Sequence, residues 1–301
     1  MATSRTAGRR YSPRSASIVD IFLNLFTDFV DTRQHALFYD LVSYDTIIRN
    51  GRRFDGTGAP SAVRNIGIRD GHVVAISPHD LDEKGCPRVI DATGKWVLPG
   101  MLDIHTHYDV EVLNGPSLSE SLRHGVTTVM LGSCSLSTVH VDGVDAGDIF
   151  GRVEAIPREH VISAVDDHKT WTNAEEYIQA LEARPAADVK ANPYASWGMG
   201  PAARLILRIG DRADLVVIDP ERLDAKLDDY AEDRVEQYGG LSRMVNRNDD
   251  TVNAVFVGGR AVFVDGKATD LVGEQRTGRF LRAAHKAPAL SAQEMEFASG
   301  S

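Results

Sequence analysis

Two histidines, His105 and His107, stand two positions apart near the end of the segment VLPGMLDIHTHYD, residues 97–109. On an extended strand, side chains at i and i+2 point to the same face. The spacing predicts that both imidazoles reach a single ion from one rigid element. An ion held there would polarise a carbonyl and lower the pKa of a bound water, and hydrolysis of an amide at neutral pH needs both. An isolated H-x-H also occurs on solvated faces, so the surroundings must decide.

Other candidates fall into weaker contexts. Lys169, in DDHKTW, has the residue type of a carboxylated bridging lysine but a charged, loop-like setting that reads as surface. His160 and His168 lie in the polar stretch REHVISAVDDHK and read as exposed. His124 precedes Gly125 at a helix end, where an imidazole interacts favourably with the terminal carbonyls. Asp103 and Asp109 flank the pair. Asp109 reads either as an acid that orients a ligand histidine or as a solvated loop acid. Cys86, in DEKGCPR, reads as a loop residue.

The elements that must carry these residues change in texture along the chain. Residues 1–40 predict an Arg- and Ser-rich extension, partly disordered, leading into an amphipathic helix over IVDIFLNLFTDFVD; its regularly spaced acids distinguish it from a signal-peptide core. From about residue 41 short strands appear with turn signals: Asn50-Gly51, Asp70-Gly71 and, near the other end, Gly258-Gly259, each of a type that supplies the positive φ angles of a two-residue hairpin turn. DLVVIDP reads as a buried strand. An isolated hairpin is barely stable, so residues 41–99 and 207–270 are expected to build one composite β-sandwich. Between them MLDIHTH reads as a strand, SLSESLRHG as a helix closing on Gly125, VTTVML as a strand, and TNAEEYIQALEARP as a helix capped by Thr172 or Asn173. Alternating β and α units imply a parallel sheet, here an incomplete (β/α) barrel over residues 100–206. DAKLDDYAEDRVEQ reads as a solvated helical face, and residues 271–301 as a tail.

Composition limits the function. With 43% hydrophobic residues in 301, the chain can bury a sizeable core. A formal net charge of -10 argues against a nucleic-acid backbone as partner and leaves a small-molecule substrate or a protein. No apolar run approaches the length of a membrane span. Two distant cysteines suggest no disulfide framework, which makes a reducing cytoplasm the expected home.

Five blocks in order, GRRFDGTG, VIDATGKWVLPGMLDIHTHYD, HGVTTVMLGSCS, GDRADLVVID and VFVGGRAVFVDG, resemble the amidohydrolase superfamily, and more narrowly its N-acyl-D-amino-acid deacylase (D-aminoacylase) branch. The strongest block runs from 90 to 109, with the Asp91-Ala92-Thr93-Gly94 turn, Leu98-Pro99-Gly100 and the His-Thr-His segment. The resemblance implies a β-sandwich made from both chain ends, a TIM-type catalytic barrel between, and zinc at His105 and His107. It also places a metal-binding cysteine at Cys134, 27 residues after His107. A thiolate beside Zn²⁺ is chemically sensible, while a small cysteine packed under a loop is the alternative. The implied reaction is hydrolysis of a C–N bond in an N-acyl amino acid; a cyclic-amide hydrolase fits Cys134 less well.

The resemblance breaks in the middle. A complete (β/α)₈ barrel takes roughly 200 residues at least, and the 85 residues from Gly100 to Pro185 hold roughly two to four β/α units. The family would continue into strands bearing two more histidine ligands and an aspartate in a Ser-Asp-Gly stretch, and neither is found. Loss of a positioned base would lower the hydrolytic rate by about two to four orders of magnitude. The other reading is therefore a non-catalytic remnant that binds a metal or a partner. Unpaired parallel edges would favour a homo-oligomer.

Overall fold

The apolar runs of AVRNIGIR and HVVAIS pair as an antiparallel hairpin in the structure, a computed structural model. It describes residues 43–115, 117–154, 156–183, 207–224, 229, 231–235, 240–245 and 249–279. The helix expected before residue 41, the segment 186–206 and the tail after 279 lie outside the described residues. All but Ser43 of the described residues belong to one unit, Tyr44–Ser301.

The early strands are β1 (Thr46–Arg53), β2 (Ala62–Arg69), β3 (His72–Ser77), β4 (Val89–Asp91) and β5 (Trp96–Pro99), followed by β6 (Met101–Asp103) and β7 (Val126–Val129). Later come β8 (Leu215–Ile218), β9 (Ala231–Val235), β10 (Leu241–Val245), β11 (Val252–Val257), β12 (Arg260–Val264) and β13 (Lys267–Ala268). A nine-stranded sheet runs β13-β12-β11-β8-β5-β1-β2-β3, with β4 also beside β1. Strands from before residue 100 and after residue 207 thus share one sheet, joined where β5 pairs antiparallel with β8. The sheet curls until its two hairpin turns meet. Ala213 donates its N–H to Gly71 O, Gly259 donates to Ala213 O, and the core holds Ile48, Ile66, Val73, Val217 and Phe256 together.

Asp70-Gly71 and Gly258-Gly259 make the expected turns, with positive φ at both residues of each. Asn50-Gly51 does not. It lies inside β1 as a bulge, with Asn50 at φ 60 and a register shift between Ile48 and Gly51. The freed Asn50 N–H donates to Asn65 Oδ1 at 2.8 Å, so the side chain from β2 replaces the missing ladder partner. Local turn chemistry satisfies both outcomes, and the pairing of Gly51–Arg53 with β2 decides between them.

The second region is a parallel pair, β6 with β7, connected through helices α1 (Glu111–Asn114) and α2 (Ser119–Arg123). Helix α2 ends at His124 and Gly125 as the sequence suggests. Gly100, at the joint between β5 and β6, is required by close approach: a Cβ there would sit 2.1 Å from Thr127 Oγ1. Three longer helices follow, α3 (Gly143–Val153), α4 (Arg158–His168) and α5 (Ala174–Glu182). Asn173 caps α5 by accepting the Glu176 N–H. The stretch REHVISAVDDHK is helix α4 with Val161, Ala164 and Val165 buried; His160 is exposed and His168 half-buried. Helix α3 carries Gly143, Gly147 and Gly151 at four-residue spacing, and α4 lies against that stripe. A Cβ on Gly147 would be 2.9 Å from Ile162 Cγ1 and 3.0 Å from Arg158 Cγ.

The charged run expected as a helical face is a strand in its described second half. Strand β9 pairs antiparallel with β10, placing Asp233 opposite Arg243. Arg243 also reaches Glu111 of α1 at 3.5 Å, so this hairpin is tied to the helix after β6, a distant contact that a reading of the run as a solvated helical face does not contain.

Two outcomes follow from this packing. Gly147→Leu is expected to lower stability by about 1–3 kcal/mol, because the added side chain must push α4 away; urea unfolding measures it. The exposed Asp91 carboxylate is held down to about 2 by the Thr93 hydroxyl and N–H, then by Arg49. Its folded pKa lies below the unfolded value, so its contribution is present above about pH 4 and is lost as pH falls toward about 2. The urea-midpoint gap between the parent and Asp91→Asn should narrow across that window.

Candidate metal centre

The two histidines follow a strand shorter than the sequence suggests. Strand β6 stops at Asp103, whose Oδ1 accepts the His105 N–H at 3.1 Å and turns the chain. The i, i+2 strand argument therefore does not place the rings. Other contacts do: Thr106 Oγ1 donates to Met130 O at 2.7 Å, and Met130 N donates to Asp103 O at 2.9 Å, tying the loop after β6 to the loop after β7. The rings of His105 and His107 meet edge to face with centroids 5.2 Å apart.

Cys134 reaches the same place from the β7 side. Gly132 and Cys134 both adopt left-handed backbone, at φ 79 and 54, in a short 3₁₀ turn over Ser133–Ser135. The turn is anchored by Asp109, whose Oδ2 accepts the Gly132 N–H at 3.0 Å. Asp109 is thus not a solvated acid, and among the described residues its carboxylate makes no hydrogen bond to a histidine. It is 1% exposed; burial pushes its carboxyl up to about 6, with the Gly132 bond opposing. Its role is to hold the cysteine loop.

One ligand atom from each of His105, His107 and Cys134 lies within 4.8 Å of the other two. Among the described residues this is the one such group of three. Cys134 Sγ is 3.2 Å from His105 Nε2. A tetrahedral zinc site, with bonds of about 2.1 Å to nitrogen and about 2.3 Å to sulfur, puts such donors roughly 3.5 Å apart. The cysteine is exposed, which excludes the packing role left open by the sequence.

His107 supplies the most specific observation. Its Nδ1 lies 2.5 Å from Glu154 Oε1, while its Nε2 is buried with no hydrogen-bond partner among the described residues. A buried imidazole nitrogen left unpaired is costly, and a cation satisfies it. The donor set of two imidazoles and a thiol suits zinc, and three protein ligands are the usual number at a catalytic zinc. Glu154 was not legible as a site residue: it lies 47 positions from His107, just beyond α3, and no motif marks it.

Lys169 takes no part in this group, and it is not a free surface lysine either. Its Nζ donates to Thr138 O and Val139 O at 2.6 and 2.9 Å and lies 5.5 Å from the Trp171 ring; burial lowers its pKa. Among the described residues no helix is long and apolar enough to cross a membrane.

No family model matches the chain. An uncharacterized protein of Mycobacterium tuberculosis is 58% identical over 146 residues, which are 48% of this chain and 24% of that protein. N-acyl-D-glutamate deacylase of Alcaligenes xylosoxydans xylosoxydans is 32% identical over 148 residues, 49% of this chain and 28% of the enzyme. N-acyl-D-aspartate deacylase of the same organism is 37% identical over 93 residues, 31% of this chain and 18% of the enzyme. The chain thus matches between 18% and 28% of the length of these relatives. Among solved structures, N-acyl-D-glutamate deacylase from Bordetella bronchiseptica, complexed with zinc and a phosphonate inhibitor, is 27% identical with a TM-score of 0.39, covering 50% of this chain and 29% of that one. By sequence, about half of this chain is similar to amidohydrolases of the deacylase type.

Cys134→Ser is expected to weaken zinc binding at least about tenfold, since a neutral hydroxyl is a far poorer ligand than a thiolate. Competition against a chromophoric chelator measures the change, and equal retention by variant and parent would remove Cys134 from the ligand set.

Proposed function

We propose that the chain carries the metal-holding end of a zinc-dependent amidohydrolase that acts on C–N bonds other than peptide bonds, with an N-acyl-D-amino acid as its substrate class. The observation that supports it most is the buried Nε2 of His107, without a hydrogen-bond partner among the described residues, beside two further candidate ligands, His105 and Cys134. The sequence likeness to N-acyl-D-glutamate and N-acyl-D-aspartate deacylases supports the choice of substrate.

His105, His107 and Cys134 would hold the ion. Zinc bound there supplies Lewis acidity for a scissile carbonyl and acidifies water. The exposed sides of His105 and Cys134 leave room for a small substrate from solvent. Asp103, Thr106 and Asp109 fix the loops, so the ligand geometry is set before a substrate arrives. In this reading the curled sheet is the composite β-sandwich, and β6, β7 and the helices after them are the opening units of a (β/α) barrel that is cut short. A small molecule is the partner, the cytoplasm the compartment, and a homo-oligomer covers the free edges of the parallel pair.

A second reading, a non-catalytic remnant that binds metal, is favoured by one feature. No carboxylate joins the three ligands in the group described, and the Glu154 oxygen near the site is engaged with His107. Proton transfer then has no assigned base.

Zinc-loaded protein incubated with N-acetyl-D-glutamate and its L isomer decides between them. The hydrolase reading expects D-selective release of glutamate that disappears in His105→Ala, at a rate about two to four orders of magnitude below that of an enzyme with a placed base. Stoichiometric zinc with no release above that of free zinc would overturn the hydrolase reading and leave the remnant.

A further inference from the structure

We infer that Glu154 is a positioning residue for the metal centre: it holds the proton of His107 on Nδ1 and thereby presents Nε2, unprotonated, as the donor to the ion. The inference rests on the metal-site reading above and adds a residue that the ligand set does not contain.

A neutral imidazole carries one proton, and the hydrogen bond made at one nitrogen decides what the other can do. The His107 Nδ1 and Glu154 Oε1 atoms are in hydrogen-bond contact at 2.5 Å, with side chains only 14% and 29% exposed. A carboxylate there accepts and cannot donate, so the proton is assigned to Nδ1. Nε2 is then a lone pair, buried and without a partner among the described residues. The opposite tautomer would set a nitrogen lone pair against a carboxylate oxygen and bury an unpaired N–H.

Glu154 is itself held from outside the two loops that bear the ligands. Its N–H donates to Phe150 O at 2.9 Å, closing the last turn of α3, and the Phe150 side chain is fully buried. The glycine stripe that seats α3 on α4 therefore also sets where this carboxylate lies. Metal affinity is coupled in this way to the docking of a helix that supplies no ligand.

Three variants of the full chain, Glu154→Gln, Glu154→Ala and His107→Ala, test it by zinc competition. Long-range proton–nitrogen correlation on the metal-free parent and the Glu154 variants at about pH 8, above the ordinary histidine range, reports the tautomer. The expected result is an Nδ1–H tautomer in the parent, a shift toward Nε2–H in Glu154→Ala, and zinc affinity about 10–100-fold lower, with Glu154→Gln between. Parental zinc affinity in Glu154→Ala, with loss in His107→Ala, would overturn this inference and leave the metal site standing. Parental affinity in His107→Ala would overturn both. Should Glu154→Ala fail to fold, the parent spectrum and Glu154→Gln decide, and a parent ring protonated at Nε2 overturns the inference.

Discussion

Pairing between two short parallel strands, β6 and β7, is the constraint on which the candidate centre depends. Their ladder ends with Asp103 beside Val129, so the chain leaves both strands at the same edge, with the histidines on one side and the cysteine on the other. Three bonds then stitch the departing loops: Met130 to Asp103, Thr106 to Met130, and Gly132 to Asp109. Each is worth about 1 kcal/mol net, no more than the entropy lost in fixing a single residue. Hydrogen bonds alone would not hold loops of this length. Burial of Val110 and Leu131, at about 1.5–3 kcal/mol per large side chain, supplies what they lack.

The three ligands are not held alike. His107 is gripped from behind by a carboxylate and half-buried, whereas His105 and Cys134 face solvent. Left-handed backbone at a non-glycine residue such as Cys134 costs about 1–2 kcal/mol and persists only where the surroundings enforce it. Around it, the Asp109 carboxylate holds Gly132 and the Leu136 N–H donates to Ser133 O, closing the turn. A rigid inner ligand and two outer ones fit a site that an ion enters from the solvent side.

The curled sheet contributes no ligand, yet it fixes where β6 begins. Gly100 N donates to Asp214 O in the strand lead from the far end of the chain, and the absent side chain of Gly100 admits Thr127 of β7. Arg123 of α2 bonds Asp249 and lies over Phe263, fastening the crossover to the same sheet. Residues more than a hundred positions apart thus set the origin of the histidine loop.

The sequence by itself determined the local features. Two hairpin turns, the α2 stop at Gly125, the cap at Asn173 and the buried run of β8 all follow from residue type and spacing, because each is decided by φ preference, capping or apolar periodicity within a few residues. His105, His107 and Cys134 were legible as a candidate set through motif likeness, although the strand geometry used to join the histidines was not the one the protein adopts. Tertiary structure decided whatever depends on distant partners. Asn50-Gly51 became a bulge because Asn65 could take over its hydrogen bond, and Asp109 became a buried anchor because Gly132 came to it. REHVISAVDDHK became a packed helix because the α3 glycines gave it room. Glu154 entered the site by the docking of α3, a meeting across 47 residues that no local preference encodes.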